Sequence, residues 1–565
     1  MNYLSELAAV ISKCTGLSAA ETEKMIEIPP NPEMGDFALP CFKLSRTLRK
    51  APPAIAADLK EKIELPSFVE RMEVAGGYLN FFIDKTSFIK GTVEKVVLEG
   101  ERYGSSDMGK GGNVVMDYSS INIAKPFHIG HLSSTAIGNS LYRIYNFLGY
   151  NSIGVNHLGD WGTQFGKMIV AYKMWGDKEL VEKESVRGLV KLYVRFHQEA
   201  EENEALNDEA RAWFRKIEQG DEEAVGLFEW FKEITMKEVL RVYDMLDVHF
   251  DSYAGESFYE DKMQPVVDEL KEKGLLKLDQ GASIVDLSEY NMPPCIILRS
   301  DGATLYATRD LATAIYRKDT YDFVKSLYVV AYQQNLHFKQ FFKVLELMGR
   351  DWVKDCEHVN FGMVSIENGS LSTRHGNVVY LEDVLNASIA KTLDIINEKS
   401  PDLEDKEETA KAIGVGALVF STLSAGRIKD IVFDLDRVLN FDGETGPYVQ
   451  YTRARALSVI RKSEGKYDNV EPDWSALNSD EAFAVCRLLY DFPSVIVRAM
   501  EKNEPSIITR HIVLLSQAFN RFYYDHRIID EDEKATAARL KLAYACATVI
   551  KTGLYLLGIK APDRM

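Results

Sequence analysis

The sequence predicts an α/β protein built on a parallel sheet, with an α+β module before the sheet and a helical region after it. A short apolar run at residues 114–116 leads into a polar loop and then a helical pattern from Leu132 to Leu148, the order expected of a parallel α/β unit. Residues 1–110 mix helical and strand patterns, and from about Ala410 the pattern is wholly helical. At 565 residues the chain is long enough for about three domains.

Composition narrows the class of protein. Apolar residues make up 46% of the chain and aromatic residues 11%, which suffices for ordinary globular cores. There is no apolar run of membrane-spanning length and no charged-then-apolar leader, so we expect a soluble, untargeted, cytoplasmic protein. Six scattered cysteines without a C-x-x-C pair predict free thiols and argue against a zinc site. The net charge of −18 argues against a nucleic-acid partner, although a local basic groove can coexist with an acidic remainder.

The N-terminal module is predicted to contain three helices and an aromatic strand. The helical patterns cover Leu4–Thr15, Ala38–Lys50 and Ala54–Ile63. A double glycine, Gly76-Gly77, leads into the strand at residues 78–83. Its aromatic residues fit core packing, while an exposed Tyr78 and Asn80 would also suit stacking on an unpaired base. The glycine- and serine-rich stretch 104–112 is predicted to be a linker.

The loop from Asp117 to His131 carries the densest set of chemically useful side chains. Its groups that can contact phosphate are Asn122, Lys125, His128 and His131. They precede a helix N-terminus, where free N–H groups and the helix dipole favour anions. Gly130 lets a ligand approach the backbone, and neutral imidazoles can donate to phosphate oxygens. The plainer interpretation is a helix start with two surface histidines.

Further strands and loops follow in an order that suits the same sheet. A second strand, Ser152–Val155, leads into a glycine-rich loop at 156–166, and a charged helical insertion runs from about 182 to 273. A β-hairpin lies within 282–306, and a buried strand from Tyr328 ends in a polar loop with Gln334. The last strand is predicted at 359–364, before a polar loop at 371–377.

The loop at 117–131 resembles the HIGH motif of class I aminoacyl-tRNA synthetases, in the arginyl version Ser-x-Asn-x-Ala-Lys-Pro-x-His-x-Gly-His-Leu. Ile121 stands where that family usually has proline. The resemblance spans essentially the whole chain. It implies an N-terminal domain at 1–110 that contacts the tRNA elbow and a Rossmann-like catalytic domain at 111–400 that contains the insertion. It also implies an all-α anticodon-binding bundle at 401–565.

The resemblance also implies an arginine site and an ATP site. A guanidinium needs a carboxylate for bidentate pairing and a planar neighbour, and the family's Tyr-x-Thr-Arg-Asp element places Tyr306 and Asp310 there. The plainer interpretation of Asp310 is an acid that complements the helix dipole. The same matching adds Asp117, Asn122, His128 and Gln334 to the arginine site. For ATP it implies His128, Gly130, His131, Gly159, Asp160, Gln164 and Ser372.

The polar loop at 371–377 matches the Lys-Met-Ser-Lys-Ser loop of class I synthetases in a degraded form. Ser370 and Thr373 stand where the lysines would be, and Arg374 is the nearest cation. Lys125 is therefore the predicted substitute for the missing lysine. The implied catalytic set is His128, His131, Lys125 and Arg374, whereas a surface turn is the plainer interpretation of this loop.

The residues implied for tRNA contact lie at the two ends of the chain. They are Tyr78 and Asn80, which match the family's Gly-Gly-Tyr-x-Asn-Phe run, and Tyr448, Tyr451 and Met565 in the C-terminal region. Tyr448 and Tyr451 stand beside Arg453 and Arg455; they are either core aromatics or an aromatic and basic platform for bases.

The implied activity is ligation of arginine to the 3′ adenosine of tRNA through an arginyl-adenylate. ATP and Mg²⁺ are the expected cofactors, with no metal held by the protein, and a monomer is the expected state. A small-molecule adenylyltransferase and a non-catalytic tRNA-binding protein remain as alternatives. The first has no use for two flanking domains, and the second has no use for an intact set of His128, His131, Tyr306 and Asp310.

Overall fold

The computed structural model describes residues 3–29, 31–300, 302, 304–366, 379–440 and 443–565. The N-terminal module is a three-stranded antiparallel sheet, in the order β1-β3-β2, packed among helices. Its elements are α1 Tyr3–Thr15, α2 Ala19–Glu23, β1 Phe37–Pro40, α3 Ser45–Leu48, α4 Pro52–Lys62, β2 Val69–Ala75, β3 Tyr78–Ile83 and α5 Lys85–Glu99.

The helix predicted at Ala38–Lys50 is wrong in its first part. Residues 37–40 form β1, whose Phe37 lies opposite Phe81 and whose Pro40 lies opposite Tyr78 of β3. Leu39 and Cys41 are fully buried there. Pairing with the neighbouring strand thus overrides the local helical pattern over 37–40, while a 3-10 turn at Cys41–Leu44 and α3 remain helical.

The centre of the molecule is a four-stranded parallel sheet in the order β10-β9-β4-β5. The chain passes from β4 outward to β5 and returns on the other side through β9 to β10, so the strand order reverses between β9 and β4. Ligands of open α/β sheets bind at that reversal, outside the carboxyl ends of the strands. The bounds are β4 Asn113–Asp117, α6 His131–Phe147, β5 Asn151–Val155, α7 Thr163–Trp175, β9 Lys325–Tyr328, α14 Asn335–Leu347 and β10 Cys356–His358.

Between β5 and β9 the chain forms the predicted helical insertion and then the predicted antiparallel hairpin, extended by one strand. The helices are α8 Lys178–Glu184, α9 Val186–Glu202, α10 Ala205–Glu218, α11 Glu222–Leu246 and α12 Glu260–Glu272. The strands β6 Leu276–Asp279, β7 Ala282–Val285 and β8 Cys295–Leu298 precede α13 Tyr306–Tyr321.

In the described residues after β10, the chain forms a helical bundle and two short strands. Its elements are β11 Val364–Ile366, α15 Leu381–Lys399, α16 Lys406–Ser424, β12 Ile431–Phe433, α17 Leu435–Val438, α18 Gly446–Lys462, α19 Asp480–Glu501, α20 Ser506–Asp525 and α21 Glu533–Leu556. The prediction of a wholly helical chain after Ala410 is wrong at β12, which pairs in parallel with β11. The strand predicted at 359–364 is wrong over most of its length, because β10 ends at His358 and β11 begins only at Val364, with an isolated bridge between Phe361 and Ala331 in the interval.

The bundle packs on both other parts of the chain. Tyr103 donates a hydrogen bond to the carbonyl of Leu489 (2.9 Å), and Ser140 of α6 donates to the carbonyl of Leu556 (2.8 Å). All six cysteines are free, as predicted. Within the described part of the chain, no helix is both long and apolar enough to cross a membrane.

Candidate active site

The two histidines of the 117–131 loop lie side by side at the N-terminus of α6. Their ring centres are 4.0 Å apart. The backbone N–H of His128 donates to Nδ1 of His131 (3.2 Å), and the N–H of Gly130 donates to Nδ1 of His128 (3.1 Å). Nδ1 of His128 accepts in this arrangement, so its neutral ring carries the proton on Nε2 and can donate it to a ligand. Nδ1 of His131 lies 3.2 Å from both the N–H and the carbonyl oxygen of His128, so it can accept from the first or donate to the second.

Burial keeps these rings neutral. It lowers the pKa of His128, and burial together with the neighbouring His128 lowers the pKa of His131 to about 3. Lys125 also acts on His131 electrostatically, in the same direction. Neutral imidazoles and a lysine are groups that suit phosphate oxygens.

The loop that carries the histidines is fixed from two sides. The N–H of Ile129 donates to Val379 and that of Leu381 donates to Phe127 (3.1 and 2.9 Å). On the other side, Ser119 Oγ lies 2.7 Å from Tyr243 Oη of α11, and Thr135 Oγ1 donates to Ser119 Oγ.

Tyr243 also joins this loop to the next one. Nδ2 of Asn156 donates to Tyr243 Oη (2.7 Å), and Asn156 and Tyr243 are both buried. One phenol from the helical insertion therefore holds the loops that follow β4 and β5.

The backbones of the two loops also pair directly. Asn122 and Gly159 form a parallel bridge, flanked by bonds from Gly159 N–H to Ile121 (2.8 Å) and from Ile123 N–H to Gly159 (3.1 Å). A Cβ at Gly159 would lie 2.4 Å from Asn122 Oδ1. Asn122 remains exposed and Gln164 is half-buried in the first turn of α7, so the structure brings these predicted residues to one edge of the sheet.

Asp160 is predicted to contact ATP, but its carboxylate is buried and bonded within the protein. Its side chain is fully buried. Its Oδ2 accepts from Lys232 Nζ and Ser257 Oγ (2.8 Å each), and its Oδ1 accepts from the N–H of Ser257 (2.9 Å). Since both oxygens have protein partners, a direct ATP contact has no support here, and Asp160 instead ties the 156–166 loop to α11.

Asp117 ends β4 and is already paired with a guanidinium of the chain itself. Arg317 NH2 lies 2.8 Å from Asp117 Oδ2, and Ser120 Oγ donates to Asp117 Oδ1 (2.7 Å). Arg317 is fully buried, and this pairing raises its pKa against the opposing effect of burial. The charge of Asp117, predicted to contact arginine, is therefore balanced by Arg317.

Asp310 lies in the second turn of α13 and faces α14. Its Oδ2 lies 2.5 Å from His337 Nε2. Tyr306, one turn earlier, is 69% exposed, and Gln334 is exposed beyond the end of β9. Asp310 and Asp117 both act electrostatically on the half-buried His157 and raise its pKa, against the larger opposing effect of burial.

A third carboxylate, that of Glu256, lies near Asp310 and is not predicted from the sequence. Burial raises the pKa of Glu256 to about 7, and the nearby Asp310 adds to the shift, while Arg309, 3.2 Å away, opposes it. His157 and His337 were also given no role, although both stand in polar stretches after strands. Glu256 carries no comparable signal, because it lies in an irregular segment between α11 and α12.

Two predicted residues, Ser372 and Arg374, lie outside the described residues. Within the described ranges, no group of three or more His, Cys, Asp or Glu side chains is arranged to hold a metal ion.

The side chains predicted to contact RNA differ in their exposure to solvent. Tyr78 is 39% exposed, but Asn80 is only 6% exposed, so the expectation of an exposed Asn80 is wrong. Asn80 lies in the middle of β3, between Ala38 of β1 and Glu73 of β2. A central strand buries its inward side chains on one face.

In the bundle, Tyr451 is exposed and the guanidinium of Arg455 lies 4.8 Å from its ring centre. Tyr448 is half-buried and its Oη accepts from Asn520 Nδ2 (3.0 Å). We call Tyr448, Tyr451 and Arg455 the aromatic platform. Met565 packs beside the core formed by α15 and α16. Arg453 is not on the platform, because its guanidinium binds the carbonyls of Ala561 and Pro562.

Family models match three consecutive parts of the chain. "Arginyl tRNA synthetase N terminal domain" matches residues 1–83, "tRNA synthetases class I (R), catalytic domain" matches 92–435, and "DALR anticodon binding domain" matches 449–565.

Relatives resemble the chain over its full length. A protein named Arginine–tRNA ligase from Alkaliphilus metalliredigens is 57% identical over 97% of both chains, and one from Halothermothrix orenii is 54% identical over 100% of both. Among solved structures, an arginyl-tRNA synthetase from Thermus thermophilus superposes with a TM-score of 0.81 at 25% identity, covering 100% of this chain and 99% of the other.

Proposed function

The chain belongs to the arginyl-tRNA synthetase family, and we propose that it ligates L-arginine to the 3′ terminal adenosine of tRNA at the expense of ATP. The reaction has two steps. The arginine carboxylate attacks the α-phosphorus of ATP and pyrophosphate leaves; the tRNA hydroxyl then attacks the carbonyl of the arginyl-adenylate and AMP leaves. No covalent intermediate with the enzyme is required.

The observation that carries this proposal is the pair of neutral imidazoles at the start of α6. Negative charge grows on the oxygens of the α-phosphate as the carboxylate attacks. Donors that are already oriented stabilise this charge without reorganisation. The Nε2–H of His128 is oriented in this way, because the backbone N–H of Gly130 fixes its Nδ1, and the ring of His131 packs beside it with ring centres 4.0 Å apart.

Lys125 supplies the positive charge in this proposal. Its electrostatic effect on His131 supports a position beside the reacting phosphate, where it would replace the loop lysine that the sequence lacks. Arg374 remains a second proposed cation and Ser372 a proposed ATP contact. We propose that Gly130, Gly159 and Gln164 border the nucleotide, and that Asp160 positions their loop without touching ATP.

The arginine site is proposed at the pocket around His157. Asp310 and Tyr306 hold the substrate guanidinium, while Asn122, Gln334 and Asp117 face its amino-acid end. Asp117 is paired with Arg317 and Glu256 lies 3.2 Å from Arg309, so Asp310 is the carboxylate that we propose favours a cationic side chain over neutral or acidic ones.

Magnesium is proposed to enter with ATP, bound to its phosphate oxygens. Mg²⁺ prefers oxygen ligands, whereas the histidine junction offers imidazoles and N–H groups, so the protein itself supplies no cage for the ion there. The proposal further includes tRNA contact at Tyr78 and the aromatic platform, a monomeric state and a cytoplasmic location. Met565 at the chain end is proposed to approach the anticodon loop.

Charging of tRNA by the purified protein with each of the twenty amino acids tests the proposal. We expect incorporation of arginine alone, dependent on ATP. Absence of arginine incorporation would overturn it. Transfer of AMP to a small molecule with no charging would favour an adenylyltransferase, and tRNA binding without either reaction would favour a non-catalytic protein.

A further inference from the structure

A surface cavity of about 870 Å³ lies away from the active site, where the end of α16, the C-terminal end of α19 and the N-terminal part of α20 meet. Four exposed cationic side chains line it: Lys429, Arg498, Lys502 and Arg510. Ser424 and Ser506 add hydroxyl groups. We call this cavity the basic groove.

The basic groove carries a surplus of positive charge in the part of the chain that the structure describes. Among the residues that the structure describes, none of the four cations has a side-chain hydrogen bond or an ion pair with a carboxylate. Glu444 is the carboxylate in the lining, and burial holds the pKa of the lining His511 at about 4, so that ring is neutral. A formal charge of +3 is thereby collected in one groove of a chain whose net charge is −18.

One end of the groove is fastened to the catalytic sheet. The N–H of Gly362, beyond β10, donates to the carbonyl of Arg427 (2.7 Å). The Arg427 guanidinium donates to Asn360 Oδ1 (2.7 Å). Lys429 therefore projects from a segment that is anchored at the exit of the sheet.

The other end of the groove leads to the aromatic platform through a single helix. Arg510 lies near the start of α20, and Asn520 of the same helix binds Tyr448 Oη and Arg455. Ten helical residues span about 15 Å. The groove thus lies between the catalytic sheet and the platform.

We propose that the basic groove binds the phosphodiester backbone of tRNA between its anticodon loop and its acceptor end. The inference rests on the proposed function, since it assigns a binding surface for that function's RNA substrate. Lysine and arginine that contact phosphates release counterions, which gives affinity without sequence specificity. Cationic side chains that are not paired with a carboxylate can bind phosphate without first breaking an ion pair. An acidic protein segment could also match the charge, but the location between two RNA-directed surfaces favours RNA.

The test compares two double variants that remove the same number of lysine charges. K429Q/K502Q alters the groove, and K271Q/K354Q removes two exposed lysines of the catalytic part that also lack a partner among the described residues. Binding of uncharged tRNA is measured by fluorescence anisotropy at several salt concentrations. We expect K429Q/K502Q to raise the Kd about tenfold near 0.1 M salt and to lower the slope of log Kd against log salt by about 1 per cation. The control should change neither.

Phosphorothioate footprinting of the tRNA then locates the contact. Wild-type protein should protect backbone positions between the anticodon loop and the acceptor end, and K429Q/K502Q should lose that protection. R498Q/R510Q should raise the Kd for tRNA and lose the same protection as K429Q/K502Q does. An unchanged Kd and salt slope would overturn the proposal, and so would a loss of protection confined to the anticodon loop. Failure of the proposed function would show separately, as absence of arginine charging by the wild-type protein.

Discussion

Oδ2 of Asp310 lies 2.5 Å from Nε2 of His337, so the carboxylate proposed for substrate arginine is held by a histidine across the gap between α13 and α14. This bond fixes the direction of the carboxylate and leaves Oδ1 for the substrate. A guanidinium that binds there meets a side chain that is already oriented, which reduces the entropy lost on binding.

D310N should abolish useful affinity for arginine while sparing tRNA. The amide keeps the size of the side chain but removes the charge that pairs with a guanidinium, a loss worth about 2–5 kcal/mol in a desolvated pair. We expect the KM for arginine to rise by roughly 30-fold or more, with the Kd for tRNA within about twofold. Equal loss of tRNA binding would remove Asp310 from the arginine site. D319N, an aspartate outside the pocket on the same helix, is the control.

K125A should lower kcat more than it weakens ATP binding. A cation that acts on charge developing in the transition state contributes little to the ground state, and loss of one such contact costs about 10²–10³ in rate. The measurement is steady-state charging with varied ATP, and K125R should recover part of the rate. A raised KM for ATP with unchanged kcat would contradict the role.

Y243F tests whether the helical insertion positions the active site. The change deletes one oxygen that bonds both Ser119 and Asn156, and leaving such buried groups unsatisfied costs about 1–3 kcal/mol. We expect kcat to fall by about tenfold, because the histidine loop loses a fixed partner. Y172F, on α7, should leave kcat unchanged. A Y243F enzyme that loses stability but keeps kcat would limit Tyr243 to a folding role.

G159A should damage the site through one close contact. The new Cβ would lie 2.4 Å from Asn122 Oδ1, which pushes apart the two loops that form the site. We expect a fall in kcat/KM for both ATP and arginine. G226A on α11 is the matched control, since nothing lies within 4 Å of its Cβ. Removal of a helical glycine there should add about 0.5–1 kcal/mol of stability.

The low pKa of His131 should make the ligand-free protein sensitive to acid. Its pKa of about 3 in the folded state lies below the ordinary 6.5, so between these values the unfolded chain binds more protons. The stability contributed by the neutral ring is complete above pH 6.5 and is lost as the pH falls below it.

Urea unfolding at pH 7.5 and pH 5 measures this contribution. H131Q should lose less stability on acidification than the wild type, by on the order of 2 kcal/mol. H249Q, which alters an exposed histidine, should lose as much stability between pH 7.5 and pH 5 as the wild type does. An identical loss in H131Q and the wild type would contradict the neutral state of His131.

Much of the fold follows from local patterns. The loop at 117–131, the helix after it and the helical insertion are found where the sequence predicts them, because apolar periodicity and glycine stops depend on neighbours close in sequence. The strands β1 and β12 are not predicted: the sequence favours a helix at both places. Both outcomes depend on pairing with a distant strand, which a local pattern does not record.

The sequence by itself determined the family and the chemistry of the site: two histidines around a glycine, a nearby lysine, and a tyrosine and an aspartate one turn apart. Only the tertiary structure decided which of these groups face a ligand. It pairs Asp117 with Arg317, gives both carboxylate oxygens of Asp160 protein partners, and buries Asn80. It also brings Glu256, His157 and His337 near Asp310. The physical reason is that a charged group's availability depends on burial and on partners far away in sequence. Residue type fixes what a side chain can do, and packing fixes whether it is free to do it.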